Sequence, residues 1–237
     1  MRIGILKTDA LRKEFVDKYG EYPAMFERLL RQIDPDLNYA TYDVQLNQYP
    51  DHIDDNEIYL ITGSKNSVYD REDWIDNLCN FVRLLHSRKK PLIGVCFGHQ
   101  LVAHALGGKA QKAAQGWQVG LKDVQLLPGA ESAGIEGDTF KLISSHQDQV
   151  TEAAPGSVIL ASHEQCPVAM TRLDDHIFTV QGHPEFAADF ARDLFTYREP
   201  ILGEALSKQA IASLAEQSDG AKVLGWALNF LCAREVA

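Results

Sequence analysis

The chain contains 237 residues, of which 45% are hydrophobic and 24% are charged, and its mean hydropathy is −0.21. This composition is typical of a globular protein and excludes disordered and collagen-like chains. The 23 basic and 33 acidic residues give a net charge of −10, which disfavours a nucleic-acid partner because nucleic-acid interfaces are basic. The most apolar late segment, Val223–Ala233, is about half the ~20 residues that a membrane span needs, so we predict no membrane association.

The cysteines and the N-terminal segment predict the cellular location. The four cysteines are scattered, and no CxxC or Cys/His ligand spacing is present: Cys79, Cys96, Cys166 and Cys232. We therefore predict free thiols, no metal and no cofactor. Residues 1–15 contain too short an apolar stretch for a signal peptide. A cytoplasmic protein is expected.

The first 95 residues alternate between strand and helix patterns. Strands are predicted at Arg2–Leu6, Asn38–Leu46, Glu57–Thr62 and Pro91–Val95, and helices near Pro23–Gln32 and at Glu72–Arg88. Several of these strands are almost entirely apolar. Such strands are typical of a parallel sheet that is covered by helices on both faces.

The remainder of the chain has a different pattern. Between Val119 and Val180, short apolar runs are separated by PG, EG and DD turn signals, which predict strands that turn back at a sheet edge. Helices are predicted at Ala187–Leu214, with a break at Pro200, and at Ala221–Arg234. No repeat or linker divides the sequence. We predict a single domain over residues 1–237 with a three-layer α/β fold and C-terminal helices from about residue 187.

Cys96 is the candidate nucleophile. It lies in the segment GVCFGHQ, between a buried strand and a helix pattern, with Gly94 two residues before it and Gly98 two residues after it. These glycines allow a sharp strand-to-helix turn, as in the nucleophile elbow of hydrolases. The amino end of the helix would favour the thiolate. A buried, inert thiol is the usual fate of a free cysteine, and we assign it to the other three cysteines.

His183 and Glu185 are the candidate acid/base and its orienting group. They follow the apolar run Ile177–Val180 in the segment QGHPEF. A cysteine nucleophile needs a group that holds its proton and later protonates the leaving group, and imidazole suits both tasks. Side chains two residues apart in extended backbone point the same way, so Glu185 can orient the imidazole. HPE alone could equally be a surface turn; together with the cysteine elbow it favours catalysis.

The other seven histidines have no comparable pattern. His99 and His104 follow Cys96 on the helix and are predicted to pack or to face solvent. His146 lies in the polar segment SSHQDQV, for which a loop after a strand is the simpler interpretation. The rest are predicted to be surface residues: His52, His86, His163 and His176.

Four motifs in order give the sequence its resemblance to a class I, triad-type glutamine amidotransferase domain, the glutaminase unit of GMP synthase and its relatives. They are ITGSKNSV at Ile61–Val68, GVCFGHQ at Gly94–Gln100, SSHQDQV at Ser144–Val150 and QGHPEF at Gln181–Phe186. The resemblance extends from Arg2 to about Phe190. It implies a flavodoxin-like, mostly parallel α/β sheet with helices on both faces. It also implies that Cys96 is the nucleophile, His183 the acid/base and Glu185 its orienting group.

The resemblance assigns further residues to substrate binding. The main-chain N–H groups of Ser64 and Phe97 would form the oxyanion hole, and Gly63 would allow close approach. The ends of glutamine would be held by Gln100 and by the backbone of Ser145, His146 and Gln147. The chain departs from the family at two places. Gly63 is followed by Ser64 and Lys65 where relatives often have a second glycine and a proline, and Gln147 replaces a common glycine.

The predicted reaction is hydrolysis of the side-chain amide of glutamine through a γ-glutamyl thioester, with release of ammonia. The chain offers no evident place to use that ammonia: Ala103 stands where a phosphate loop ending in Gly108 and Lys109 would need its first glycine. We therefore expect either a separate synthase subunit that accepts the ammonia, or an enzyme that acts alone.

Three alternatives remain at this stage. A stand-alone enzyme similar to the γ-glutamyl peptidases of plants, whose motifs are close to these, would form the same thioester from a γ-glutamyl peptide. An α/β-hydrolase with a cysteine elbow would take its acid from between nucleophile and histidine, such as Asp174 or Asp175. A catalytically silent regulatory module would keep the fold without the reaction, although all three triad positions are present.

Overall fold

The computed structural model describes residues 1–233. The strands in this range are β1 (Arg2–Lys7), β2 (Asn38–Asp43), β3 (Ile58–Ile61), β4 (Leu92–Val95), β5 (Lys109–Lys112), β6 (Gln118–Leu126), β7 (Thr139–His146), β8 (Asp148–Glu152), β9 (Ser157–His163), β10 (Cys166–Leu173) and β11 (Ile177–Val180). The helices are α1 (Lys13–Tyr19), α2 (Tyr22–Ile33), α3 (Asp73–Ser87), α4 (Phe97–Ala105), α5 (Ala188–Tyr197), α6 (Glu199–Leu202), α7 (Glu204–Ser213) and α8 (Gly220–Cys232).

The main sheet has a parallel half and an antiparallel half. Within residues 1–233, nine strands pair in the order β2-β1-β3-β4-β11-β10-β9-β6-β7, and the first five run parallel. This is the strand order of flavodoxin-like folds. The last four run antiparallel to their neighbours, as the turn signals after Val119 predict. The predicted α/β fold with a mostly parallel sheet is confirmed.

Helices cover both faces of the parallel half because its strands are apolar on both sides. Along β3, Ile58 and Leu60 join the core beneath α2 and α8. Tyr59 and Ile61 point the other way and join the core beneath α3 and α4. All four side chains are buried. This alternation fixes the register of the central strands, and therefore fixes where each strand ends.

Several boundaries differ from the sequence-based predictions. Strand β2 ends at Asp43, and a 3₁₀ turn follows at Val44–Leu46. The predicted helix Ala187–Leu214 is divided at Arg198 and again at Gly203, whose φ is 81°. The first break precedes Pro200, as expected because proline disfavours helical geometry in the residue before it. Helix α1 has no counterpart among the predicted elements, and Arg234, the predicted last residue of the final helix, lies outside the described residues.

The histidine predictions are partly correct. The loop predicted for SSHQDQV is wrong: His146 is the last residue of β7, and β8 begins two residues later. His99 is buried and packs, whereas His104 is exposed, as the helix pattern allows. The prediction for His176 is wrong: it is completely buried, because the turn between β10 and β11 folds against the end of α3. There its ring nitrogen lies 3.0 Å from that of His86. The four cysteines are free thiols, as predicted. No helix among residues 1–233 has the length and apolarity that crossing a membrane requires.

Candidate active site

Three neighbouring parallel strands bring the predicted catalytic groups together. Gly63 follows β3, Cys96 follows β4 and His183 follows β11, and these strands are adjacent in the sheet. The carboxyl ends of parallel strands meet at one edge, which is where ligands bind in open α/β sheets. Cys96 and His183, which are 87 positions apart in sequence, therefore share one site.

A strained turn presents Cys96. Its φ is 51°, a backbone region that residues other than glycine seldom occupy. A Cβ at Gly94 would lie 2.7 Å from the carbonyl oxygen of Gly98, and one at Gly98 would lie 2.6 Å from that of Ile61. Both positions need glycine because the strand, the turn and the helix are in direct contact. The thiol is held at the first turn of α4, as the elbow pattern predicts.

His183 and Glu185 form a buried pair. Nδ1 of the imidazole lies 2.8 Å from Oε1 of Glu185, and both side chains are buried. A carboxylate can only accept, so Nδ1 donates and Nε2 is left to face the site. The ring of Phe186 stacks on the imidazole with centroids 4.0 Å apart. The backbone N–H of His183 donates to Ile143 O at 2.8 Å, so both the ring and the backbone of His183 are fixed.

The charges around His183 favour its protonated form. Burial lowers the pKa of His183, but electrostatic interactions and hydrogen bonds with Cys96 and Glu185 outweigh burial and raise the pKa to about 10. An imidazolium stabilised by anionic groups on two sides can store the proton of the thiol. The arrangement can therefore support attack by sulfur followed by protonation of a leaving group.

Two loops position the predicted oxyanion donor at Ser64. The hydroxyl of Thr8 donates to the carbonyl oxygen of Gly63 at 2.8 Å, and the Ser64 hydroxyl donates to Thr8 O at 3.0 Å. In a planar trans peptide the C=O and the next N–H point in opposite directions. The Ser64 N–H is thus directed away from the Thr8 hydroxyl. Ser64 and Cys96 line a common cavity. The other predicted donor, at Phe97, is the first residue of α4, where helical amides lack an intrahelical acceptor.

Gln100 occupies an internal network beside the thiol. Its side-chain N–H₂ donates to Asp148 O at 2.7 Å and lies 3.3 Å from Oε1 of Gln181. Gln181 in turn donates to Sγ of Cys96 at 3.6 Å. Both amide side chains are buried. Gln100 is therefore adjacent to the site, and its amide helps to orient Gln181 against the sulfur.

A cavity of about 240 Å³ opens at Cys96. The remaining residues predicted to bind substrate, Ser145, His146 and Gln147, all line it. Burial, together with the charge of His183, lowers the pKa of His146 to about 3, and its Nδ1 lies 3.0 Å from Asp148 O. His146 is therefore a neutral wall residue near pH 7. Gln147 stands at the wall where relatives often have glycine.

The acids of the hydrolase alternative lie elsewhere. Asp174 and Asp175 precede β11, whereas His183 follows it, so the length of a strand separates them. Oδ1 of Asp175 lies 3.3 Å from Nδ1 of His176, and His183 already pairs with Glu185. The α/β-hydrolase interpretation is wrong. Asp174 instead groups with His86 and His176, whose ligand atoms lie within 4.8 Å of one another at that opposite end of the sheet.

Three contacting residues were missed from the sequence. Thr8 aligns the Gly63 peptide, Gln181 contacts the thiol, and Arg198 lines the cavity. Gln181 could have been found, since it opens the QGHPEF motif. Thr8 and Arg198 lie outside the four motifs, and their roles depend on contacts between elements that are distant in sequence.

Comparisons with known proteins identify the family of the chain. Residues 14–189 match the family model described as glutamine amidotransferase class-I. The chain is 32% identical to γ-glutamyl peptidase 3 of Arabidopsis thaliana over 212 residues, covering 86% of this chain and 79% of that protein. It is 31% identical to the glutamine-hydrolysing GMP synthase of Clostridium perfringens over 172 residues, covering 72% of this chain and 32% of that protein.

Solved structures share the fold. A glutamine amidotransferase from Methylobacillus flagellatus superposes with a TM-score of 0.78 at 21% identity, covering 99% of this chain and 94% of that one. A second, from Thermotoga maritima, gives a TM-score of 0.75 at 15% identity, covering 99% and 98%. The family model matches more than half of the chain, and the solved structures share its fold. The chain therefore belongs to the class I glutamine amidotransferase family.

Proposed function

We propose that this protein hydrolyses γ-glutamyl amide bonds with Cys96 as nucleophile, His183 as acid and base, and Glu185 as the group that orients and charges His183. The observation that carries the proposal is the buried imidazole of His183, which is hydrogen-bonded to Glu185 at 2.8 Å, is charged through Cys96 and Glu185, and lines a small chamber together with Cys96. A surface turn would give neither the burial nor the raised pKa.

The reaction proceeds in two halves. Sγ of Cys96 bonds to the side-chain carbonyl carbon of the γ-glutamyl group, the C–N bond breaks, and the His183 imidazolium gives its proton to the departing nitrogen. Water then attacks the γ-glutamyl thioester while His183 removes a proton from it. The C–S bond breaks, glutamate leaves, and the proton on His183 re-forms the starting ion pair with the thiolate. One water is consumed for each amide cleaved.

The amides of Ser64 and Phe97 stabilise the oxyanion in both halves of the reaction. Preorganised donors at this point are worth about 10²-fold or more in rate. The Ser64 donor depends on the contact between Thr8 and Gly63, and the Phe97 donor depends on the start of α4 at the elbow. Both donors are main-chain N–H groups, which every residue except proline supplies, so serine and lysine in place of the family's usual glycine and proline leave both donors present.

γ-Glutamyl peptides are the substrates that the site supports best. The cavity extends from Cys96 to polar and charged groups beyond the triad, including Lys112 and Asp148, and so offers space and partners for more than an amide nitrogen. Four similar proteins from Arabidopsis thaliana are γ-glutamyl peptidases. Supply of ammonia from glutamine to a separate synthase subunit is the second candidate, favoured by the similarity to one third of GMP synthase.

A release assay tests the proposal. Free glutamine and a panel of γ-glutamyl dipeptides are each incubated with the protein, and glutamate release is measured. We expect hydrolysis of the dipeptides, and its loss in Cys96→Ala. Cys79→Ala is the matched control, because Cys79 is a buried thiol of α3 outside the site, and it should keep the activity.

The outcomes separate the candidates. Hydrolysis of glutamine alone, increased by a synthase from the same cell, would favour the ammonia-supplying role. Hydrolysis that survives in Cys96→Ala would refute the nucleophile. No hydrolysis of any substrate, with or without added synthase, would favour the silent regulatory module.

A further inference from the structure

Arg198 places a positive charge in the wall of the site. It lies between α5 and α6, beyond the residues 14–189 that match the family model. Its guanidinium donates to the Ser145 hydroxyl at 2.7 Å and lies 5.6 Å from the centroid of the Trp117 ring. Both partners are neutral, and within residues 1–233 Arg198 takes part in no ion pair. A half-buried guanidinium held in this way is available to an anion.

Arg198 borders two spaces that meet at Cys96. One is the 240 Å³ cavity, and the other is a chamber of about 20 Å³ whose wall includes Gly63, His183 and Phe186. His183 lines the chamber but not the larger cavity. Because His183 protonates the departing nitrogen in the proposed mechanism, that nitrogen must lie where the two spaces meet. The chamber has room for about one water, so a leaving group larger than ammonia must extend from this junction into the larger cavity. Arg198 is therefore beside both the acyl group and the leaving group.

The other charged groups are less suited to bind an anion at this point. Lys65 also borders both spaces, but its ammonium is paired with the buried carboxylate of Asp9 at 2.9 Å. Lys112 and Asp148 line the larger cavity and not the chamber. Arg198 is a cation in the wall that the two spaces share. Among residues 1–233, no carboxylate forms an ion pair with it.

The chemistry of a γ-glutamyl dipeptide fits this placement. The nitrogen of its scissile amide is bonded to the Cα of the second amino acid, and that carbon carries the free carboxylate. The carboxylate therefore stays within two bonds of the nitrogen that His183 protonates. Arginine binds carboxylates through two parallel hydrogen bonds. Glutamine releases ammonia, which has no carboxylate.

We propose, on the basis of the function proposed above, that Arg198 binds the carboxylate of the amino acid released from a γ-glutamyl dipeptide and thereby favours such dipeptides over glutamine. Arg198 then acts on substrate binding and not on the chemical steps. Its removal should raise KM for substrates that have this carboxylate while leaving kcat largely unchanged.

Three substrates test the inference: γ-glutamyl-alanine, γ-glutamyl-alaninamide and glutamine. In Arg198→Gln we expect KM for γ-glutamyl-alanine to rise about 10- to 100-fold, as for loss of a charge-assisted hydrogen bond. KM for the other two should stay within about 3-fold, and Arg198→Lys should be intermediate for γ-glutamyl-alanine because it keeps the charge without the fork. Arg192→Gln, an exposed arginine of α5, is the matched control.

The inference and the proposed function fail in different ways. An equal rise in KM for all three substrates, or no rise for any, would overturn the role of Arg198 while hydrolysis stands. If the wild type hydrolyses none of them, the proposed function fails. In that case, calorimetric titration shows whether Arg198 binds the dipeptide. γ-Glutamyl-alanine is titrated into the Cys96→Ala variant and into the double variant that carries Cys96→Ala and Arg198→Gln. Equal affinity would overturn it, and weaker binding by the double variant would support it.

Discussion

At the scale of single residues, the chemistry of the site depends on how His183 is charged. Burial alone would keep an imidazole neutral, as it does for His99, whose pKa is lowered to about 4. His183 is equally buried, but its interactions with Cys96 and Glu185 raise its pKa to about 10. The difference lies in the anionic neighbours. His183 is therefore protonated throughout the neutral range, as the proposed mechanism requires of the group that protonates the leaving group.

The pH profile tests this assignment. In the proposed mechanism His183 acts as an acid, so kcat/KM should persist through neutral pH and fall as pH rises through about 10. In Glu185→Gln one anionic neighbour is lost, and the alkaline fall should move at least about one pH unit lower. Glu185→Asp keeps the charge and should resemble the wild type in the position of that fall. Superimposable profiles for wild type and Glu185→Gln would contradict the role of Glu185.

At the scale of elements, the elbow depends on contact between β3, β4 and α4. Gly98→Ala would place a Cβ 2.6 Å from the carbonyl oxygen of Ile61. Since backbone atoms cannot yield cheaply, we expect a loss of about 2–4 kcal/mol in the free energy of unfolding, together with loss of hydrolysis. Chemical denaturation measures the first effect.

Gly225 provides the control for the elbow. It lies in α8 with open space around its Cβ position, so Gly225→Ala should be neutral or should stabilise the protein by up to about 1 kcal/mol. Equal effects of the two substitutions would show that the elbow is not held by this contact.

The contact between the loops after β1 and β3 makes a second prediction. Thr8→Val removes the hydroxyl that donates to Gly63 O and should lower kcat about 10-fold or more, with KM within about 3-fold, because the Ser64 amide loses its alignment. Thr8→Ser keeps the hydroxyl and should restore most of the rate. A rate in Thr8→Val equal to that of the wild type would mean that the Gly63 peptide holds its orientation without Thr8.

The elements also show what the sequence could and could not predict. The strands of the parallel half and the turn at Cys96 follow from apolar runs and glycine spacing, which are local signals. Helix α1 was missed because its seven residues bury only one side against distant helices. The burial of His176 and the placement of Arg198 at the cavity depend on how separate elements pack together. The spacing of residues along the sequence carries no information about contacts between elements that are distant in sequence.

At the scale of the whole molecule, His99 connects the two halves of the sheet to α4. Its ring nitrogens lie 2.6 Å from the Thr179 hydroxyl on β11 and 3.0 Å from Val168 O on β10. The carbonyl can only accept, so Nε2 is protonated and Nδ1 accepts. A second proton would place a positive charge on a fully buried ring, which is costly because burial penalises the charged form. The neutral ring is therefore part of the junction between the parallel and antiparallel strands.

This junction should make the stability of the protein depend on pH. The folded pKa of His99 is lowered below its unfolded value, so its contribution is complete above the unfolded pKa and is lost as pH falls toward 4. Between about pH 7 and pH 5 the wild type should lose about 2 kcal/mol relative to His99→Gln. Urea unfolding at several pH values measures this difference. The exposed His104 is the control, and His104→Gln should follow the wild type; parallel curves for all three proteins would contradict the account.

The central claim is that Cys96 carries the γ-glutamyl group between the two halves of the reaction. Acid quenching during turnover of γ-glutamyl-alanine, followed by mass spectrometry of the denatured protein and its peptides, tests it most directly. The account predicts a γ-glutamyl adduct on the peptide that contains Cys96, present during turnover and absent in Cys96→Ala. Sustained turnover with no adduct at Cys96, or an adduct on another residue, would contradict it.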